Sequence, residues 1–256
     1  MVVFPQFGVG SGQYPLRRRR SQRTVKNQMA DGTVWKLADS AGSVIEWELP
    51  MAGLTDAERV TLESFFTQVE GRLGTFTFLD PVDNLLARSE EFGASDWVKD
   101  PLLQLTSGIA DPFGGASGTR LVNSGQISQS IQQTIAAPGW FTYCTSVYLR
   151  SDSPVAVVVQ RATVQVPSSW QRVSVRDQLV NTNATMTFAL QLPPGAVVEI
   201  FGFQAEAQAE VSDYKRTTTF GGVYSTTRFM DDRLVWTAEG PNNHSTELRT
   251  ISRVRG

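Results

Sequence analysis

The two residue types that carry most metal and triad chemistry are nearly missing: the 256 residues hold one histidine, His244, and one cysteine, Cys144. A lone cysteine excludes an intrachain disulfide and every Cys-rich zinc module. A lone histidine excludes HExxH and histidine-cluster sites, so any His-based triad would depend on His244. Ser245 lies beside it, but no Gly-x-Ser-x-Gly elbow occurs in the chain, and His244 reads as a surface residue in a turn. Excess charge is absent as well. The 23 basic and 25 acidic side chains leave a net charge of −2, which rules out a uniformly basic nucleic-acid binder and an acidic disordered tail. No apolar run approaches the roughly 20 residues that cross a bilayer, and residues 1–10 are too short and uncharged for a signal peptide. Neither a cofactor nor a metal is expected.

What is present is alternation and turn chemistry. Thr33–Leu37 and Ser43–Leu49 alternate as short strands, with turns at Asp31-Gly32 and Ala41-Gly42. A helix follows over 56–70. Thr55 and Glu58 form a capping box, Leu62, Phe65, Phe66 and Val69 share one face, and Gly71 is placed as the C-cap. Gly74–Leu79 then alternates as an aromatic strand stopped by Asp80-Pro81.

Residues 84–214 differ in character. Short strands at 140–150, 155–161, 170–176, 185–192 and 197–203 are separated by Pro, Gly, Ser and Asn, the pattern of an antiparallel sandwich or jelly roll. This stretch carries a net −4 and the remainder +2. After Tyr214 basic strand patterns resume, ending in a hairpin around Gly240–Asn243 that has no sheet of its own and joins the one begun at 33–79. The expected fold is therefore mainly β: a discontinuous sheet domain with one packed α-helix (1–83 and 215–256), interrupted by a β-sandwich (84–214).

Candidate sites are few. Arg17, Arg18, Arg19 and Arg20, followed by Arg23, suit a contact to phosphate or to an acidic protein surface, or else strand edges paired with Glu46, Glu48 and Asp39. No aromatics interleave the run, so a protein contact is favoured over a nucleic acid. In the sandwich, alternation puts Trp140, Tyr148 and Arg150 on one face with the small Thr142, Cys144 and Ser146. That face is either a stacking platform for a glycan or a second covered surface. Trp170 reads as structural and Cys144 as an inert buried thiol. Glu90, Glu91, Asp96 and Asp100 could surround a calcium ion, but their spacing fits no EF-hand and a solvated loop is the default. Gly8–Gly12 lacks the strand, helix and Lys-Ser/Thr ending of a phosphate loop.

The stretch Glu70–Pro81, preceded by Leu54–Glu58, resembles the N-terminal domain of distal tail proteins of long-tailed bacteriophages and gene transfer agents. That resemblance implies a tail-tube-like sheet with a packed helix, six copies closing into a ring. The ring would join tail tube protein to hub and fibre proteins at the distal end of the virion tail, with DNA only as passing cargo. Asn84–Phe92 with Trp97, Ser146–Ser151, Phe203–Glu206 and Ser212–Tyr214 are similar to carbohydrate-binding jelly rolls that decorate phage tails and fibres, which implies a host glycan as partner. Together these imply a structural tail-tip protein, not an enzyme. The alternatives are a soluble carbohydrate-binding protein or accessory module of a glycan-degrading enzyme, and a hydrolase using His244 or the carboxylates of 84–214.

Overall fold

The computed structural model of the protein describes residues 2–8, 13–179 and 182–254. It opens with β1 (Arg17–Gln28), β2 (Val34–Leu54), α1 (Asp56–Gln68) and β3 (Phe76–Leu79). Ten strands follow: β4 (Val98–Lys99), β5 (Leu103–Ile109), β6 (Gly118–Asn123), β7 (Gln129–Ile135), β8 (Thr142–Arg150), β9 (Ala156–Val159), β10 (Ala162–Gln165), β11 (Gln171–Gln178), β12 (Met186–Leu192) and β13 (Val197–Glu206). The chain closes with β14 (Val223–Phe229), β15 (Thr237–Gly240) and β16 (Asn243–Arg253). It divides into two compact units, Met1–Phe78 with Tyr224–Gly256, and Leu79–Val223. The seams expected at 83/84 and 214/215 thus fall at 78/79 and 223/224. Backbone pairing explains the shift: Asp80 N–H donates to Gly222 O at 2.9 Å, Gly222 N–H to Asn84 O at 2.7 Å, and Asn84 Nδ2 to Phe203 O at 3.0 Å. The two connecting segments are tied to each other and to β13, so they belong to the second unit.

The first unit is a six-stranded sheet in the order β1-β2-β16-β14-β3, with β15 on β16; β1 with β2, β2 with β16, and β16 with β14 and β15 pair antiparallel. The C-terminal hairpin joins this sheet, as its pattern predicts. Where two short strands were expected between 33 and 49, β2 runs unbroken for 21 residues. Its partner β1 pairs on both sides of the Ala41-Gly42 step, and the register shift between Ser21 and Arg23 absorbs what reads in sequence as a turn. The real turn lies at Met29–Thr33, where Gly32 has φ 85° and its N–H donates to Met29 O.

Helix α1 begins as expected. Thr55 Oγ1 accepts from the Glu58 amide and Glu58 Oε2 accepts from the Thr55 amide at 2.9 Å. Its end falls at the expected place: Glu70 and Gly71 are both left-handed, with φ 54° and 60°. The Glu70 and Gly71 amides donate to Thr67 O and Phe66 O, a Schellman arrangement. Leu62, Phe65 and Val69 then pack with Phe4, Trp47, Phe76, Phe78 and Phe229 into an aromatic core. The Phe4 ring meets those of Phe65 and Phe78 edge-on at 5.7 and 5.6 Å.

The second unit is a sandwich of two five-stranded antiparallel sheets, ordered β10-β9-β12-β7-β4 and β11-β8-β13-β6-β5. Their inner faces bury Tyr143, Val147, Leu149, Phe188, Leu190 and Ile200, with Tyr143 and Phe188 touching across the layers at 5.4 Å. Strands β4 to β7 and β10 were not anticipated. In β7 the inward positions alternate Gln129, Ile131 and Gln133, so polar residues occupy core sites and hide the period. Gln133 is satisfied there by the backbone of Ala87, through its Oε1 (2.8 Å) and its Nε2 (3.0 Å).

Candidate functional sites

The antiparallel register determines which side chains share the outer face of the sheet containing β8. Cys144, Ser146, Tyr148 and Arg150 face the same way as Arg172 on β11 and as Glu199, Phe201, Gln204 and Glu206 on β13. This face is partly covered. The Tyr148 ring lies 5.5 Å from Phe113, 5.9 Å from Phe201 and 6.2 Å from Tyr214, with the Arg172 guanidinium 5.8 Å from its centroid. Gly202 makes room for this packing: it has φ 63°, and a Cβ there would lie 3.0 Å from the Tyr214 ring. Phe113, however, remains well exposed. The patch can therefore offer a ring edge and a half-buried tyrosine to a ligand.

Trp140 does not join that patch. It precedes β8 in a turn, is half-exposed, meets Phe141 edge-on at 6.0 Å, and its carbonyl accepts from Gln178 Nε2 at 2.9 Å. Eight residues of extended chain separate it from Tyr148, about 26 Å at the usual strand rise. Alternation had assumed that the strand begins at 140. The structure brings together Tyr148 and Arg150 only.

Arg150 belongs to a cross-strand row that sequence reading missed. On β6, β13 and β8 the residues Arg120, Glu199 and Arg150 stand directly opposite one another. Arg120 grips Glu199 Oε1 through Nη2 at 2.7 Å and Nε at 3.2 Å. Arg150 Nε donates to Oε2 at 2.7 Å. The Arg150 guanidinium also lies 5.5 Å from the Trp170 ring. A glutamate inside the apolar run Val197–Phe203 was the available signal, since a buried charge is retained only when paired.

In the same unit, Glu206 is fully buried and accepts from the Ser212 amide at 3.1 Å and Lys215 Nζ at 3.3 Å. Burial, with the negative charge of Glu206 nearby, pushes the Cys144 thiol up to about 11, which matches an inert buried cysteine. The four carboxylates considered for calcium are held by three different partners rather than turned towards one centre. Glu90 pairs with Arg216, Glu91 and Asp96 with Arg88, and Asp100 accepts from the Ser130 amide and hydroxyl. No cluster of three or more metal-ligating residues occurs among the described residues.

In the first unit the arginine run forms β1 itself. Arg17 and Arg19 reach Glu48 at 3.5 and 3.2 Å, Arg23 pairs with Asp39, and Arg18 Nη2 donates to Tyr224 Oη at 3.0 Å. Arg20 lies opposite Ile45. These are the strand-edge pairings anticipated as the plainer alternative. Every residue of β1 is nevertheless exposed. The hairpin of β1 and the first part of β2 also carries exposed apolar side chains. Val25 faces Leu37 and Asn27 faces Trp35, so Val25, Leu37 and Trp35 lie on one side of the arm. Trp35 and Leu37 are 60% and 61% exposed, which marks this side as uncovered.

His244 is not a turn residue. It is the second residue of β16, its side chain is mostly buried, and its Nε2 is 2.6 Å from Asp56 Oδ1 at the start of α1. The neighbouring Ser245 hydroxyl donates to Glu239, so Ser245 is not paired with the imidazole as a nucleophile would be. Residues 9–12 of the glycine-rich loop lie outside the described residues. No helix among the described residues is long and apolar enough to cross a membrane.

No protein-family model matches the chain, and no curated protein does. Solved structures do. A xylan-binding CBM22 domain from Paenibacillus barcinonensis matches at 12% identity over 51% of this chain and 97% of its own, with a TM-score of 0.41. A family 11 carbohydrate-binding module from Clostridium thermocellum, in complex with a mixed-linked tetrasaccharide, matches at 8% identity over 52% and 100%, TM-score 0.34. The enzymatically active domain of tailspike protein 4 from bacteriophage CBA120 matches at 10% identity over 51% of this chain, TM-score 0.38. The matched region spans 22% of that tailspike chain.

Proposed function

We propose that the protein is a non-enzymatic structural component of a bacteriophage tail tip. In this reading the discontinuous unit closes with further copies of the chain, six by resemblance, into a ring between the tail tube and the hub and fibre proteins. The inserted sandwich is an adhesion module for a cell-surface glycan, and the assembled location is the distal end of the virion tail.

The observation that carries the proposal is the arm of β1 and β2. Among the described strands β1 is a sheet edge 12 residues long, and beside it Trp35, Leu37 and Val25 are exposed, an apolar surface that monomeric proteins usually cover. A second copy of the same chain is the partner that a ring would supply. The resemblance of 54–58 and 70–81 to distal tail proteins supports the same reading. Negative-stain electron microscopy and mass measurement of the purified full chain test it. Closed rings of about six copies are expected; particles and masses of monomers alone would contradict it.

The accessory-module alternative draws on one observation, the exposed Phe113 beside Tyr148. Glycan binding by a full chain that stays monomeric would favour it.

A further inference from the structure

The sandwich contains a cleft separate from the Tyr148 patch. The connection between β8 and β9 (151–155) and the turn between β12 and β13 (193–196) line it together with Arg120, Val197 and Glu199. Its volume of about 440 Å³ falls within the range of roughly 300–1,000 Å³ typical of small-molecule sites. The cleft is built from rigid parts. Pro154, Pro193 and Pro194 supply apolar walls of fixed shape with no N–H groups to satisfy. The Ser151 hydroxyl is committed to holding the site: it lies 2.9 Å from both Ser153 O and Val197 O, which share its one proton, and accepts from the Ser153 amide at 3.3 Å.

Its charge is asymmetric. Glu199, only 6% exposed, spends both oxygens on Arg120 and Arg150, so one carboxylate is set against two guanidinium groups. With Arg150 reaching Glu199 from outside the lining, the three groups hold one net positive charge, and Asp152, itself in the lining, offsets it. Arg120 uses Nε and Nη2 on Glu199 and is 46% exposed, so the rest of its guanidinium edge remains open to a planar acceptor. Asp152, exposed on the β8–β9 connection, offers the opposite chemistry, accepting from hydroxyls while repelling a dianion.

From this arrangement we infer that the cleft binds a carboxylate-bearing sugar, with the carboxylate on Arg120, hydroxyls on Asp152 and the ring against the prolines. A neutral sugar leaves the Arg120 edge unused, and a phosphorylated one brings a second negative charge towards Asp152. The inference rests on the reading of the sandwich as a glycan module and adds the ligand's charge and the site.

Calorimetric titration of the full chain with methyl glucuronide and with methyl glucoside, which differ only at the carboxylate, tests it. The glucuronide should bind about tenfold more tightly at low salt, with the gap narrowing as ionic strength rises. Arg120→Gln should bring the glucuronide to the level of the glucoside. Ser153→Trp, at an exposed rim position that leaves the Ser151 bonds to backbone intact, should abolish both. Equal affinities, a gap that survives Arg120→Gln, or binding that survives Ser153→Trp would each overturn the inference. Neutral xylo-oligosaccharide binding undisturbed by Ser153→Trp, with no preference for the acid, would overturn the cleft and leave the glycan module standing. Failure of every sugar to bind would overturn both.

Discussion

The two units of this protein handle charge in opposite ways. In the sheet-and-helix unit the pairs are shared with water: Arg17–Glu48, Arg19–Glu48 and Arg249–Asp231 lie on strand surfaces with both partners accessible. In the sandwich Arg88 meets Glu91 and Asp96 at the surface, but four other carboxylates are buried while their cations reach solvent. Glu199, Glu206, Asp177 and Glu90 are each under 10% exposed, while their Arg and Lys partners are 30–60% exposed. Exposed pairs contribute little and are easily exchanged for another partner, whereas a buried carboxylate fixes the side chains around it. The first unit thus leaves its charges at the surface, and the second uses its charges to shape a face and a cleft.

The largest expected effect separates the units by their cores. Trp47 is fully buried against Phe78 and Tyr224, and Trp47→Ala should cost about 3–5 kcal/mol. Calorimetry should show one unfolding transition falling while the sandwich transition stays. A common shift of both would erase the distinction between the units. Next in size is Glu199→Ala, which strands two arginines that retain some solvent contact. A loss of about 2–3 kcal/mol is expected, confined to the sandwich. Arg249→Ala, removing an exposed pair, should change stability by less than about 0.5 kcal/mol, and a similar cost for the two substitutions would remove the contrast.

Alkaline pH sharpens the difference from another side. Cys144, with an ordinary value near 9, is raised to about 11 by burial and by Glu206; Tyr214 is raised in the same direction by burial. A folded-state value above the unfolded one stabilises the fold below the unfolded value, and that stability is lost as pH rises through the folded value. Denaturant titrations should therefore show the sandwich weakening between pH 9 and about 11, by at most about 1.4 kcal/mol per pH unit per group. A sandwich transition that holds steady over that window would show that these groups are not shifted. The cap of α1 gives an effect between those of Glu199→Ala and Arg249→Ala: Thr55→Ala should cost the first unit about 1 kcal/mol in chemical denaturation, with the sandwich unmoved.

Much of the first unit was readable from sequence because its signals are local. The Thr55/Glu58 box, the Leu62–Val69 spacing and the Gly240–Asn243 turn each determine structure within a few residues. The length of β2 was hidden because pairing with β1 overrides the Ala41-Gly42 turn signal, a tertiary effect. In the sandwich, strands with apolar inward faces such as β12 stood out, while β7 escaped because Gln129 and Gln133 occupy core positions satisfied by distant backbone. Of the candidate site, Tyr148 and Arg150 share a face by period alone. The partners Arg120, Glu199 and Phe113 come from remote segments, and strand registry alone brings them there. Trp140 was misplaced because a strand's first residue is the least determined feature of an alternating run.

The central claim, that the first unit is an assembly surface, is tested most directly by sedimentation velocity of the full chain at micromolar concentration, beside the double substitution Trp35→Asp with Leu37→Asp. Both positions are exposed on the arm, so the variant should keep its thermal stability. The account predicts a closed oligomer for the native chain and a monomer for the variant. A native chain that sediments as a monomer, or an oligomer that survives both substitutions, would contradict it.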